Sequence, residues 1–159
     1  MSKLKKREEL AKIVAKLKKQ GKKVAFANGC FDILHVGHIR FLKAARAKGD
    51  VLVLGLNSDS SVRRLKGDGR PLVNQRERTE IMSAFEFVDY IVIFNELTVD
   101  KTLQVLLPTY HCKGTDYTVD TVPEREMAKK FGIKIAIVGD PKDHSTKDII
   151  RTILVKCKK

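Results

Sequence analysis

His35 and His38 flank Gly37 in the run Asn28-Gly29-Cys30-Phe31-Asp32-Ile33-Leu34-His35-Val36-Gly37-His38. Three residues apart, the two imidazoles share one face of any helix that holds both. An apolar stretch, 24–27, precedes the run, and a helical pattern begins at Gly37. The segment therefore reads as a strand, a tight turn at Gly29 and a helix start. A helix start offers free backbone N–H groups and the positive end of a dipole. Gly37 lets a phosphate approach the backbone, and two imidazoles supply directed N–H donors to charge developing on phosphorus. This combination suits transfer at a phosphorus centre. Zinc suits it less well, because no third ligand stands nearby.

Other candidates lie after the later apolar runs. Lys66 and Arg70 sit in a turn-rich loop, 66–74, with Gly67, Gly69 and Pro71. They could reach a triphosphate or a sugar phosphate. Arg76 opens the next helical segment, where its guanidinium could hold a phosphate or simply face solvent. Gly114 and Asp116 follow the apolar stretch that ends at Lys113. Ser145 and Thr146 stand at the start of the last helix, where hydroxyls and N–H groups can hold phosphates.

The elements that must carry these residues alternate along the chain. Leu10, Ile13, Val14 and Leu17 recur at helical spacing over 4–20, and Gly21 ends the run. Strands are predicted at 24–27, 51–56, 90–94, 110–113 and 133–138. Helices are predicted at 37–48, from the caps at 57–59 through Leu65, and at 75–86, 99–107 and 146–154. A further helix starts at Pro123, a good first-turn residue, and stops at Gly132. Strands that are apolar throughout, separated by helices, indicate a parallel sheet covered on both faces. With right-handed crossovers this is a doubly wound, Rossmann-like α/β fold of five strands. Such sheets bind ligands at the carboxyl ends of the strands, where the candidates stand.

The chain has 159 residues and a formal net charge of +13. That charge suggests a nucleic-acid partner until it is divided by position. Residues 1–23 carry +8 and the last four +3, which leaves +2 for 24–155. No aromatic residue interleaves the basic N-terminal run, so base stacking there is not expected. We expect a basic N-terminal helix over 1–21 and one domain over 22–159, with no nucleic-acid or membrane partner. No apolar run approaches a membrane span, and no signal-peptide core follows the first lysines. Cys30, Cys112 and Cys157 form no C-x-x-C pair, which fits a reducing compartment, and a cytoplasmic location is expected.

The run ending in His35-Val36-Gly37-His38 resembles the H-x-G-H nucleotidyltransferases, often called cytidylyltransferase-like. The likeness continues through Asn57-Ser58-Asp59, Leu65-Lys66-Gly67-Asp68-Gly69-Arg70-Pro71, Gln75-Arg76, Lys113-Gly114-Thr115-Asp116-Tyr117 and His144-Ser145-Thr146. Together these segments most resemble the bacterial enzymes that adenylylate D-glycero-β-D-manno-heptose 1-phosphate. In many bacteria that activity is one half of a bifunctional ADP-heptose synthase. Here no sugar-kinase domain precedes it, so a separate upstream kinase is expected.

The resemblance implies catalytic roles for His35, His38 and Lys66. It implies nucleotide contacts for Asn28, Gly29, Cys30, Phe31, Asp32, Gly37, Lys113, Gly114, Asp116, Ser145 and Thr146. Asn57, Asp59, Arg70 and Arg76 would contact the second substrate. Asp32 would orient the histidines or a metal, and the Gly114–Asp116 loop would lie beside the nucleotide or the sugar hydroxyls. A homodimer is also implied. Three departures stand out. Lys147 replaces a hydroxyl residue of the family pattern, the K-G-T-D loop lacks a second glycine, and the stretch 120–126 has no assigned role.

The expected reaction joins ATP and a sugar 1-phosphate, with pyrophosphate leaving. No resident metal is expected, and Mg²⁺ would arrive with ATP, since it prefers phosphate oxygens and water. One alternative keeps the fold and uses CTP with glycerol 3-phosphate. Others are a nucleotide sensor without turnover and an RNA-binding protein that uses the basic helix.

Overall fold

Alternate residues of the central strands face opposite sides of the sheet, and both sides are apolar. In β1 (Val24–Gly29), Val24 and Phe26 join one core, while Ala25 and Ala27 join the other. In β2 (Val51–Asn57) every residue is buried. Such strands need helices on both faces. A computed structural model describes residues 2–141 and 144–157 and supplies those helices. α1 (Arg7–Lys19), α5 (Asp100–Leu106) and α6 (Arg125–Lys130) cover one face. α2 (Val36–Arg46) and α4 (Gln75–Ser83) cover the other. α3 (Asp59–Lys66) follows β2, and α7 (Thr146–Lys156) follows the last strand.

The remaining strands are β3 (Tyr90–Phe94), β4 (Tyr110–Lys113) and β5 (Lys134–Ile137). All pairings are parallel and the order is β3-β2-β1-β4-β5. The chain winds outward from β1 to β3, then returns to place β4 on the other side of β1. The strand order thus reverses between β1 and β4, and the crevice for a ligand opens there. The five-stranded doubly wound sheet agrees with the pattern read from the sequence.

Two helix starts differ by two residues or more from the predicted ones. The predicted helix over 4–20 begins only at Arg7. Lys3 to Lys5 run extended along β3, where the Lys5 N–H donates to Ile91 O and the Ile91 N–H donates to Lys3 O, each at 2.9 Å. β3 is an edge strand, and this pairing satisfies the open backbone groups of Ile91. Arg7 then anchors the helix through two bonds to the Glu96 carboxylate, at 2.9 and 2.8 Å. Leu10 and Val14 of α1 are fully buried against the sheet. The helix predicted from Pro123 starts at Arg125 instead, because a turn bond from Arg125 N–H to Val122 O holds the preceding residues out of it.

Candidate active site

A cleft of about 780 Å³ lies over the carboxyl ends of β1 and β4. Its floor is the turn between β1 and α2. Phe31 adopts φ 46° there, a left-handed conformation that costs a side-chain-bearing residue about 1–2 kcal/mol. Its ring meets the His38 ring with centroids 5.2 Å apart. Gly29 has no room for a side chain, since a Cβ would come within 2.9 Å of the Phe31 ring. A Cβ on Gly37 would come within 3.0 Å of His35 Nδ1. Both glycines therefore leave space for the rings that line the cleft.

The two histidines are stacked, with ring centroids 3.8 Å apart. The His35 backbone N–H donates to His38 Nδ1 at 3.4 Å. His38 Nδ1 is thus an acceptor, and the ring proton sits on Nε2. Burial, with a lesser contribution from His35, pushes the His38 pKa down to about 4. At neutral pH His38 is an uncharged N–H donor at the start of α2, and bound phosphate would find both that donor and the free N–H groups of the helix.

Asp32 bonds to the following loop rather than to either histidine. It is 5% exposed, and its carboxylate accepts from the Arg70 guanidinium at 2.6 Å, from Leu72 N–H at 2.9 Å and from Val73 N–H at 2.8 Å. Burial works to raise its pKa, but these three donors outweigh it and hold the carboxyl below its ordinary value. Asp32 therefore anchors the 70–73 loop to the cleft floor. Histidine orientation comes from the backbone of His35 instead.

Asn28 is held from behind. Its Oδ1 lies 3.1 Å from Nε2 of His111, a fully buried residue of β4. Burial and, secondly, the Lys113 charge push the His111 pKa down to about 3, so the ring is neutral. His111 Nδ1 has no hydrogen-bond partner among the described residues. An orphaned acceptor costs less than an orphaned donor, so Nε2 carries the proton and Asn28 accepts it. The Asn28 amide group is thereby left to donate.

The structure brings Asn28, Gly29, Cys30, Phe31, Asp32, His35, Gly37, His38, Asn57, Lys66, Arg70, Lys113, Gly114, Asp116, Ser145, Thr146 and Lys147 to one cleft. Burial raises the Cys30 pKa, so its thiol stays protonated and inert. The Ser145 hydroxyl caps α7, accepting from Asp148 N–H at 3.2 Å, and Thr146 donates to Ile33 O at 3.0 Å. The second bond ties α7 to the histidine turn. A Cβ on Gly114 would come within 2.9 Å of Asp116 Oδ1, the far end of an exposed side chain that can turn away.

Asp59 and Arg76 do not line the cleft. Arg76 is exposed on α4, and the arginine that matters structurally is Arg78, two residues on. The Arg78 side chain is fully buried. It donates to Cys30 O at 2.5 Å, Asn57 O at 2.9 Å, Val73 O at 2.9 Å and Asp59 Oδ1 at 2.8 Å. Asp59 thus serves Arg78, which joins the ends of β1 and β2 to the 70–73 loop. Its signal in the sequence is its spacing, four residues before Met82 on the buried face of α4. Sequence reasoning also missed Arg40, 3.2 Å from Asp140, and Glu124, both at the cleft.

Among the described residues no group of three His, Cys, Asp or Glu side chains could hold a metal ion. Asp32 has spent its oxygens on the loop. The donor set suits a metal carried on substrate phosphates better than a protein cage.

A cytidylyltransferase-like family model matches residues 26–155. The chain is 48% identical over 153 residues to the bifunctional protein HldE of Geobacter sulfurreducens, and 46% identical over 153 residues to that of Pelobacter propionicus. Each alignment covers 96% of this chain, which spans about a third (31%) of those relatives' length. The crystal structure of a lipopolysaccharide core biosynthesis protein from Thermoplasma volcanium aligns with a TM-score of 0.65 at 29% identity, covering 77% of this chain and 100% of that one. The histidine turn, the β1/β4 crevice and the matched span agree: the chain belongs to the cytidylyltransferase-like family and has the fold of a nucleotidyltransferase.

Proposed function

We propose that this protein transfers the adenylyl group of ATP to D-glycero-β-D-manno-heptose 1-phosphate, giving ADP-heptose and pyrophosphate. The observation that carries the reading is the stacked His35–His38 pair over the β1/β4 crevice. A sugar phosphate oxygen attacks the α-phosphorus in line. The bond from that phosphorus to the bridging oxygen of the β-phosphate breaks, and pyrophosphate leaves with the electron pair. The attacking group is already an anion at pH 7, so no protein nucleophile is required. The protein's task is to align two polyanions and offset their repulsion.

His38 donates from Nε2 to the oxygens that gain charge, and His35 shares that face. Lys66 and Arg70 hold phosphates at the rim of the cleft, and Lys147 adds a cation at the start of α7. Nucleotidyltransferases of this kind use a divalent metal with the triphosphate. Mg²⁺ is our choice, and when bound it screens phosphate charge. The heptose assignment is supported by Leu65-Lys66-Gly67-Asp68-Gly69-Arg70-Pro71 and by the identity to the HldE proteins. The reading includes a cytoplasmic location, a sugar kinase that supplies the 1-phosphate, and a homodimer. No described helix is long and apolar enough to cross a membrane. Ile153, Leu154 and Val155 of α7 are 49%, 61% and 69% exposed, which supports self-association. Sedimentation as a monomer at micromolar concentration would remove the dimer from the reading.

The test is a matrix of nucleoside triphosphates against phosphorylated sugars and polyols, read by pyrophosphate release. ATP with heptose 1-phosphate should react fastest. If that pair is inert and CTP with glycerol 3-phosphate reacts, the substrates are wrong and the reaction class stands.

A further inference from the structure

The stretch 120–126 has no part in the mechanism above, yet it delivers a carboxylate to the cleft. Glu124 immediately precedes α6, is 4% exposed and lines the cleft beside Lys113. Its Oε2 lies 3.6 Å from Lys113 Nζ, too far for a hydrogen bond. That oxygen is buried and has no hydrogen-bond partner among the described residues. The Lys113 ammonium also sits 4.6 Å from the centroid of the Tyr117 ring. A buried carboxylate oxygen without a donor carries the full desolvation penalty of the group. Buried polar groups in native proteins are ordinarily satisfied, so this one calls for a donor.

Charge narrows what that donor can be. A phosphate beside Glu124 would meet like charge and be repelled. A ligand ammonium would meet Lys113. A neutral group that both donates and accepts fits the pair: its proton goes to the carboxylate and its lone pair to the ammonium. Hydroxyls do this. The sheet order supports the same division. Lys66 and Arg70 follow β2 on one side of β1, and Lys113 and Glu124 lie by β4 on the other. Phosphates thus have Lys66 and Arg70 on the β2 side and Lys147 at the start of α7, while the Lys113–Glu124 pair on the β4 side suits neutral hydroxyls.

We propose that Glu124, assisted by Lys113, determines specificity by accepting a hydrogen bond from a sugar hydroxyl of a bound substrate. The inference rests on the nucleotidyl-transfer reading only for its two candidate sugars, the ribose of the nucleotide and the ring of the sugar phosphate.

Calorimetric titration of the wild type, Glu124→Ala and Glu124→Gln tests it without turnover. One arm compares ATP with 2′-deoxyATP and 3′-deoxyATP. The other compares mannose 1-phosphate and heptose 1-phosphate with their monodeoxy analogues. In the wild type, loss of one particular hydroxyl should weaken binding about tenfold or more. In Glu124→Ala that penalty should fall below about threefold. The arm that responds identifies the ring. If Glu124→Ala does not fold, Glu124→Gln, a neutral acceptor of the same shape, should still reduce the penalty. Should the variants weaken every ligand equally and leave each deoxy penalty unchanged, Glu124 merely balances Lys113 and the proposal fails. A wild type that discriminates hydroxyls but releases no pyrophosphate from any pair would overturn the transferase reading and leave this one standing.

Discussion

The rings of His35 and His38 stack 3.8 Å apart while the His35 backbone N–H reaches back to Nδ1 of its neighbour. One local arrangement thereby sets three properties of His38: its tautomer, its neutral charge and the direction of its remaining N–H. Protonation of Nδ1 would break the backbone bond and place a positive charge against the His35 ring.

We therefore expect His38 in the free protein to remain an Nε2–H tautomer until pH falls to about 4. Bound triphosphate favours the charged ring and should raise that midpoint. Long-range ¹⁵N–¹H NMR reads both the tautomer and the titration. A midpoint near the ordinary histidine value of about 6.5 would contradict the assignment.

Folding stability should fall in acid. His38 and His111 have folded pKa values pushed down to about 4 and about 3. Below about pH 6.5 the unfolded chain takes up these protons first, so stability drops as pH falls from there towards those values. Asp32 works in the same direction. Its folded pKa is depressed, so its contribution is complete above the ordinary carboxylate value and is lost as pH falls through the lower folded one. Urea midpoints between pH 7 and 4 should decline steadily, and His111→Gln should make the decline shallower.

His111→Leu should separate stability from rate. The substitution removes an orphaned Nδ1 and keeps an apolar volume, so the thermal midpoint should hold or rise. Asn28 loses its donor and its amide is free to rotate, which should lower kcat about tenfold. His111→Gln, which can still present an N–H to Asn28, should restore much of the rate. Parallel loss of stability and rate in His111→Leu would assign His111 to packing alone.

The two arginines of α4 should behave oppositely. Arg78→Lys keeps the charge but loses the fork that reaches three carbonyls and Asp59, and should cost about 2–4 kcal/mol in urea unfolding. Arg76→Ala, on the exposed face, should change turnover by less than about twofold.

That contrast marks how far sequence reasoning reached. The sheet was legible because its strands are apolar on both faces, and β3 and β4 begin and end where the pattern places them. The histidine turn was legible because its residue types are rare in that order and follow a strand. The partners of buried charges were not legible. Asp32 and Arg70 are 38 residues apart, and nothing local says that the carboxylate serves a distant loop. Arg78 and Glu124 look like ordinary helix charges until tertiary packing buries them. The first strand-like residues were hidden too, because Leu4 looks helical until β3 offers it an open edge.

Pyrophosphate release from ATP and heptose 1-phosphate, compared between the wild type and His38→Ala, tests the central claim most directly. His38 is only partly buried and bonds to its own helix start, so the variant should fold with an unchanged circular dichroism spectrum. Its turnover should fall on the order of 10²-fold or more, as when an oxyanion donor is lost. A folded His38→Ala enzyme with near-wild-type turnover would contradict the role given to the stacked pair.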